Sequence, residues 1–128
     1  MNGSSYVLDT NAVIQLLRGN QEVLRIVSLA DALAISVITE LEFLSYSKLS
    51  NNDIQLFEQF KSRIDVVSLE TTNTELMQIV CNLRLNTSLK MPDAIVAATA
   101  VVRNSKLITA DVKLLNCLAE NSLSFTSI

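Results

Sequence analysis

The residues best suited to chemistry are four carboxylates, each placed near the start or end of an apolar segment. In chain order they are Asp9, Glu42, Asp93 and Asp111. The chain contains no histidine, so the acidic residues are the leading candidates for any catalysis. Carboxylates at the ends of buried strands and helices suggest a metal site, because oxygen ligands of this kind bind hard cations.

Several classes of active site are excluded by composition. Without histidine there is no Ser-His-Asp or Cys-His arrangement, and two separated cysteines do not form a thiolate-rich zinc site. Glycine occurs only at Gly3 and Gly19, so neither a phosphate-binding P-loop nor a dinucleotide fingerprint is present.

Three of the acids also have a purely structural interpretation. Asp9, followed by Thr10 and Asn11, could end a strand and cap the next helix, and Asp111 stands where the helix at 112–119 needs an N-cap. Asp93 follows a proline in a first helical turn, where a carboxylate interacts favourably with the helix dipole. The helix after Asp93 is apolar nearly all round, however, and an acid leading into a buried helix needs a partner or a metal.

The segment 35–44 offers two acids, Glu40 and Glu42, and helical periodicity does not choose between them. The predicted apolar face carries Ile38, Leu41, Ser45 and Leu49. Glu42 borders this face on one side and Glu40 borders it on the other. Either acid could therefore be a solvated flanking residue.

The elements that must position these acids alternate between strand and helix. Strands are predicted at 6–9, 33–36, 65–69, 106–109 and 123–126. Helices are predicted at 12–18, 21–29, 39–47, 52–63, 72–85, 92–103 and 112–119. This order predicts an α/β three-layer sandwich, in which a mainly parallel five-stranded sheet carries helices on both faces. Asp9 and Asp111 are then expected at the carboxyl edge of the sheet, where such folds bind ligands.

Length and hydropathy predict one soluble domain spanning residues 1–128. With 128 residues, 49% of them hydrophobic, the chain is long enough to bury a core and too short for two ordinary domains. No apolar run approaches the ~20 residues of a membrane span. Residues 1–5 do not resemble a secretory signal, so a cytoplasmic location is expected. Cys81 and Cys117 are interpreted as buried free thiols.

Four blocks of the sequence, in order, resemble PIN-domain ribonucleases of the VapC toxin type. The blocks are 7–11 (VLDTN), 36–44 (SVITELEFL), 92–100 (PDAIVAATA) and 107–111 (LITAD). Each block is weak alone, whereas four at domain-sized spacing are specific. The resemblance covers essentially the whole chain.

This resemblance implies a site and a function. The metal-binding acids would be Asp9, Glu42, Asp93 and Asp111, so that Glu42 is chosen over Glu40. Thr10, Asn11 and Thr109 match polar positions that line the family's site. A protein of this type is expected to be an endoribonuclease toxin that cleaves RNA, forms homodimers and is held inactive by a cognate antitoxin.

Electrostatics independently favours Mg²⁺ or Mn²⁺ as the cofactor. Carboxylates brought together repel one another unless some are protonated or a cation neutralises them. Ligands that are all oxygen favour these two ions over zinc or copper. Such an ion polarises a phosphodiester and activates water for in-line attack on phosphorus, so no side-chain nucleophile is required.

The net charge of −3 is a partial objection to an RNA substrate. Without the four candidate metal ligands, nine acidic residues remain against ten basic ones. Candidates for a basic rim are Arg18, Lys48, Arg84, Lys90 and Arg103, and Tyr46 is the better candidate for base stacking.

Two alternative functions remain open at the level of sequence. One is a non-catalytic module that keeps the fold and uses the cleft only to bind a partner. The other is a phosphoryl-accepting receiver domain, which also places aspartates over Mg²⁺ at strand ends. The chain lacks an acidic pair near its start and a strand-end lysine in the expected order, so the receiver is the weaker alternative.

Overall fold

Alternating strands and helices build the chain, as seen in a computed structural model that describes residues 4–128. The first three positions of the predicted domain 1–128 lie outside the described residues. The strands are β1 (Ser5–Leu8), β2 (Ala32–Ser36), β3 (Asp65–Val67), β4 (Lys106–Ile108) and β5 (Ser122–Leu123). The helices are α1 (Thr10–Leu17), α2 (Gln21–Ser28), α3 (Val37–Leu44), α4 (Asn51–Lys61), α5 (Thr74–Asn86), α6 (Met91–Val102) and α7 (Val112–Leu118), followed by a 3₁₀ turn at Ala119–Asn121.

The five strands form one sheet in the order β3-β2-β1-β4-β5, and every neighbouring pair is parallel. Strand β1 lies at the centre, with β2 and β4 on its two sides. The chain therefore winds outward from β1 first in one direction and then in the other. The carboxyl ends of β1 and β4 form the switch point at which such sheets bind ligands.

Two apolar cores lie on opposite faces of the sheet and make the fold three-layered. Successive strand residues point to opposite faces, so Val7 belongs to one core and Leu8 to the other. The first core also holds the buried residues of α5, α6 and α7, and the second holds those of α1, α2, α3 and α4. Phe43 and Phe57 stack in the second core with ring centroids 4.4 Å apart. The predicted α/β sandwich with a five-stranded parallel sheet is confirmed.

Side-chain caps decide where several helices begin. The Ser36 hydroxyl accepts a hydrogen bond from the Ile38 amide at 3.0 Å, so α3 starts directly after β2, two residues before the predicted start. Asn73 caps α5 in the same way, and that helix begins at Thr74 and not at 72. Among the residues described, 4–128, no helix is both long and apolar enough to cross a membrane.

Three predictions of detail are wrong. Leu41 was assigned to the apolar face of α3 but is 55% exposed, whereas Phe43 is buried at 4%. Strand β5 ends at Leu123, although the sequence predicted a strand to 126. Cys81 and Cys117 are exposed free thiols and not buried ones.

Candidate functional site

Asp9 links the end of β1 to the start of α1. Its Oδ1 accepts a hydrogen bond from the Ala12 amide at 2.8 Å, and its Oδ2 accepts one from the Thr109 hydroxyl. The side chain is buried, with 8% of the residue exposed. The pKa of Asp9 is raised to about 6, chiefly by burial; the hydrogen bonds from Thr109 and Ala12 oppose this rise, and the charges of Asp111 and Asp93 add to it. Asp9 is therefore both a helix cap and a carboxylate whose ionised form is disfavoured by burial.

Thr109 and Asp111 follow β4, the strand beside β1. Thr109 is fully buried, and its hydroxyl accepts a hydrogen bond from the Asp111 amide at 3.0 Å while donating to Asp9. Asp111 Oδ1 accepts from the amides of Lys113 (2.8 Å) and Leu114 (3.3 Å), which makes it the N-cap of α7. The capping role considered from sequence is present, and the same side chain also borders the cleft described below.

Asp93 lies in the first turn of α6, which packs against α5 and the sheet. Its pKa is raised, first by burial and then by the charges of Asp111 and Glu42. Lys113 and Lys90 act on the pKa of Asp93 in the opposite direction. The four acids thus share one electrostatic environment, since each of the others acts on Asp93 or on Asp9.

The two acids of α3, Glu40 and Glu42, have different partners. Glu42 Oε1 accepts a hydrogen bond from the Thr10 hydroxyl at 2.5 Å, at the start of α1. Glu40 instead forms an ion pair with Lys61 at 2.7 Å, and Lys61 also lies 3.1 Å from Glu58. Glu40 therefore stabilises the packing of α3 against α4, and Glu42 is the acid on the side of Asp9.

All four acids line one open cleft of about 440 Å³ at the carboxyl edge of the sheet. The complete lining is Asp9, Thr10, Asn11, Glu42, Asp93, Val96, Ala110, Asp111 and Ser127. Six of the seven predicted site residues line it directly, and the seventh, Thr109, reaches it through its hydrogen bond to Asp9. The sequence interpretation did not find Val96, Ala110 or Ser127. Val96 is one helical turn from Asp93, which was a usable signal, whereas no local pattern marked Ser127.

The acids do not converge into a preformed metal cage. Within residues 4–128, no three acidic or cysteine side chains lie together closely enough to hold a metal ion. Mg²⁺ does not need such a cage, because it commonly binds one or two protein carboxylates and completes its shell with waters and substrate phosphate. The donor set, all oxygen and all acidic, fits a hard divalent cation. Asp9, Glu42, Asp93 and Asp111 are the carboxylates of the cleft that could hold such an ion.

The predicted basic rim is only partly suited to binding a substrate. Arg103 pairs with Asp65 at 2.8 Å, and Arg84 donates to the Leu89 carbonyl at 2.8 Å, so both guanidinium groups have structural roles. The electrostatic effects on Asp93 identify Lys90, a predicted candidate, and Lys113, which the sequence interpretation missed. Tyr46 is 47% exposed, but it lines an apolar pocket separate from the acidic cleft.

Comparison with known proteins agrees with this architecture. The family model of the PIN domain matches residues 6–117. A comparison with curated proteins gave no match. Among solved structures, a toxin-antitoxin complex from Klebsiella pneumoniae is 26% identical, with a TM-score of 0.79 over 96% of this chain and 99% of that one.

Two further structures are similar in fold at lower identity. VapBC2 from Rickettsia felis, bound to a DNA fragment from its promoter, is 19% identical, with a TM-score of 0.78 over 95% of this chain and 99% of that one. VapBC-5 from Mycobacterium tuberculosis is also 19% identical, with a TM-score of 0.63 over 95% and 98%. The family match covers most of the chain, which sets aside the receiver-domain alternative. The chain belongs to the PIN domain family.

Proposed function

We propose that this protein is a metal-dependent endoribonuclease of the VapC toxin type. The observation that carries the proposal is one cleft at the edge of the sheet that is lined by carboxylates from four separate segments, at positions 9, 42, 93 and 111. Burial, and to a smaller extent the charges of the neighbouring acids, raises the pKa values of Asp9 and Asp93. A site that disfavours its own negative charge gains stability from a divalent cation.

The chain's residues prepare the cleft for a phosphodiester. Asp9 and Asp93 would hold Mg²⁺ or Mn²⁺, with Glu42 and Asp111 completing the acidic shell directly or through waters. When bound, the ion would supply charge neutralisation and Lewis acidity toward the phosphate and the attacking water. Thr109 fixes the orientation of Asp9, and Thr10 fixes that of Glu42. Lys90 and Lys113 add positive potential beside Asp93, which favours an anionic substrate.

Protein partners are also part of the proposal. The Klebsiella pneumoniae relative is described as a toxin-antitoxin complex, and we extend this kind of partnership to the present chain. An antitoxin segment covering the cleft would block access to RNA in the cytoplasm. Exposed apolar side chains, among them Leu29 at 74% and Leu85 at 82%, offer contact surface for an antitoxin or for a second copy of the chain. Light scattering on the purified protein tests the homodimer.

The central test is cleavage of a total RNA pool by the purified protein in Mg²⁺ or Mn²⁺, with a chelator in parallel. Asp9→Asn and Asp93→Asn are expected to abolish cleavage. Glu75→Gln is the matched control, because it neutralises an exposed carboxylate on α5 far along the chain from the cleft residues. Equal cleavage by wild type and Asp93→Asn would indicate a contaminating nuclease and would refute the proposal.

A second measurement needs no substrate. Mn²⁺ is expected to raise the Tm of the wild type and of Glu75→Gln, and to leave the Tm of Asp93→Asn unchanged. RNA binding without cleavage by a protein that does bind Mn²⁺ would favour the alternative of a non-catalytic binding module.

A further inference from the structure

The last residues of the chain, 124–128, form a strap that continues from β5 and lies against α1 and α2. Its backbone is held by side chains of those helices. Asn20 Nδ2 donates to the Thr126 carbonyl at 2.8 Å, the Thr126 amide donates to Glu22 Oε1 at 2.8 Å, and the Ile128 amide donates to Gln15 Oε1 at 2.8 Å. Phe125 anchors the strap in the second core, with only 6% of the residue exposed.

The polar anchors of the strap are themselves buried. Gln15 is 3% exposed and Asn20 is 2% exposed. Gln15 Oε1 accepts from Asn20 Nδ2 at 2.9 Å as well as from Ile128, and Asn20 Oδ1 caps α2. Buried polar groups are costly unless they are hydrogen-bonded, and two of the bonds that satisfy these groups come from the strap. The path of the strap is therefore fixed by the interior of the protein.

Ser127 lies between two tethered residues and reaches the acidic cleft. Its Oγ accepts a hydrogen bond from Asn11 Nδ2 at 3.0 Å, and the residue is part of the cleft lining. The match to the PIN-domain model covers residues 6–117, and the strap follows it in the chain.

Hydrogen-bonding capacity in the cleft gives Ser127 a chemical role. Ionised carboxylates only accept hydrogen bonds, and so does a phosphodiester. The Thr10 and Thr109 hydroxyl protons are already given to Glu42 and Asp9. Ser127 accepts from Asn11, and within residues 4–128 its own proton has no acceptor. Ser127 is exposed and borders the cleft, so this proton is available to solvent or to a ligand bound there.

We infer that Ser127, held in place by the strap, is a substrate-positioning residue that donates a hydrogen bond to a non-bridging phosphate oxygen of RNA in the acidic cleft. The inference rests on the proposed nuclease function and names a contact beyond the acidic residues. Asn11 orients the Ser127 hydroxyl and presents its second amide proton beside it. The contact opposes the repulsion between the acids and the substrate phosphate.

Steady-state RNA cleavage with Mn²⁺ tests the inference with three variants. Ser127→Ala is expected to raise KM about 10-fold with little change in kcat, as expected for a lost hydrogen bond to a charged group. Ser127→Thr, which keeps the hydroxyl, is expected to restore most of the affinity. Ser124→Ala is the matched control, since Ser124 is an exposed strap residue that does not line the cleft.

Direct binding separates this inference from the proposed function. In an Asp93→Asn background, Ser127→Ala is expected to weaken binding of a fluorescent single-stranded RNA about 10-fold relative to Ser124→Ala. The rise in Tm caused by Mn²⁺ is expected to be the same in Ser127→Ala and wild type. If the wild type cleaves RNA, and if Ser127→Ala and Ser124→Ala have the same KM and the same affinity for RNA, the Ser127 inference is wrong and the nuclease proposal stands. If RNA binds but is never cleaved, the nuclease proposal is wrong, and the binding difference still decides the role of Ser127. If the wild type neither binds nor cleaves RNA, both the nuclease proposal and the Ser127 inference are wrong.

Discussion

The Thr109 hydroxyl donates a hydrogen bond to Asp9, joining the residues that follow two neighbouring parallel strands, β4 and β1. The same hydroxyl accepts a hydrogen bond from the Asp111 amide. One buried side chain thus connects two of the four acids of the cleft. The link also opposes the rise in the pKa of Asp9 that burial causes.

Removing this hydroxyl is expected to destabilise the protein. Thr109→Val keeps the shape of the side chain but removes both hydrogen bonds, so the free energy of unfolding should fall by about 1–3 kcal/mol. Urea unfolding at neutral pH with a chelator measures the change. Thr109→Ser retains the hydroxyl and should lose less. Equal stability of Thr109→Val and wild type would contradict the role assigned to the hydroxyl.

The pH dependence of stability is expected to report on Asp9. Its pKa in the folded protein, about 6, lies above its usual value, so the folded state binds the proton more tightly than the unfolded state does. Stability from this group is therefore fully present below about pH 4 and is lost as the pH rises through about 6, by about 3 kcal/mol in total.

Asp9→Asn isolates that contribution, because asparagine still caps α1 and cannot ionise. In chelator, the unfolding free energy of Asp9→Asn minus that of wild type should grow as the pH is raised from about 4 to above about 6, the range between the unfolded and folded pKa values of Asp9. A constant difference across this range would show that Asp9 is not desolvated in the folded protein.

Thr10 is expected to influence activity without influencing stability. Its hydroxyl bonds to Glu42, and neither residue is buried. Thr10→Val should lower kcat/KM for RNA about 10-fold, because Glu42 loses the hydrogen bond that orients it. The Tm should stay near that of wild type, and Thr10→Ser should retain activity. A large loss of Tm in Thr10→Val would instead indicate a structural role.

Gln15 is expected to hold the end of the strap in place. Gln15→Leu removes the acceptor for both Asn20 and Ile128, so the free energy of unfolding should fall by about 1–3 kcal/mol. Amide exchange at Ile128 should also accelerate. Gln78→Leu, at an exposed position on α5, is the matched control. Unchanged exchange at Ile128 in Gln15→Leu would show that the strap is held by other contacts.

The sequence predicts the sheet well because its signals are local. Strands β1 and β4 are short apolar runs followed at once by polar residues, and both lie within one residue of their predicted bounds. The start of α3 was less accurate because Ser36 serves as both the last strand residue and the helix cap. A pattern that assigns each residue one role cannot anticipate that overlap.

The parts of the site that sequence did not predict depend on contacts between distant residues. Glu42 accepts a hydrogen bond from Thr10 of α1, whereas Glu40 accepts one from Lys61 of α4. Helical periodicity within one segment cannot predict which other helices will pack beside it. Ser127 reaches the cleft only because buried Gln15 and Asn20 redirect the chain after β5. The exposure of Cys81 and Cys117 likewise depends on which face of each helix packs against the rest of the protein.

The strand order has a consequence for the chain during its synthesis. The acids at positions 9 and 111 border the same cleft because β4 pairs directly with β1. Strand β1 is synthesised first, whereas β4 is synthesised only after β2 and β3. A ribosome-bound chain that ends before residue 111 holds an incomplete cleft, whatever helices it has already formed. The activity proposed for the cleft therefore cannot appear in a nascent chain before β4 has paired with β1 and residue 111 has been synthesised.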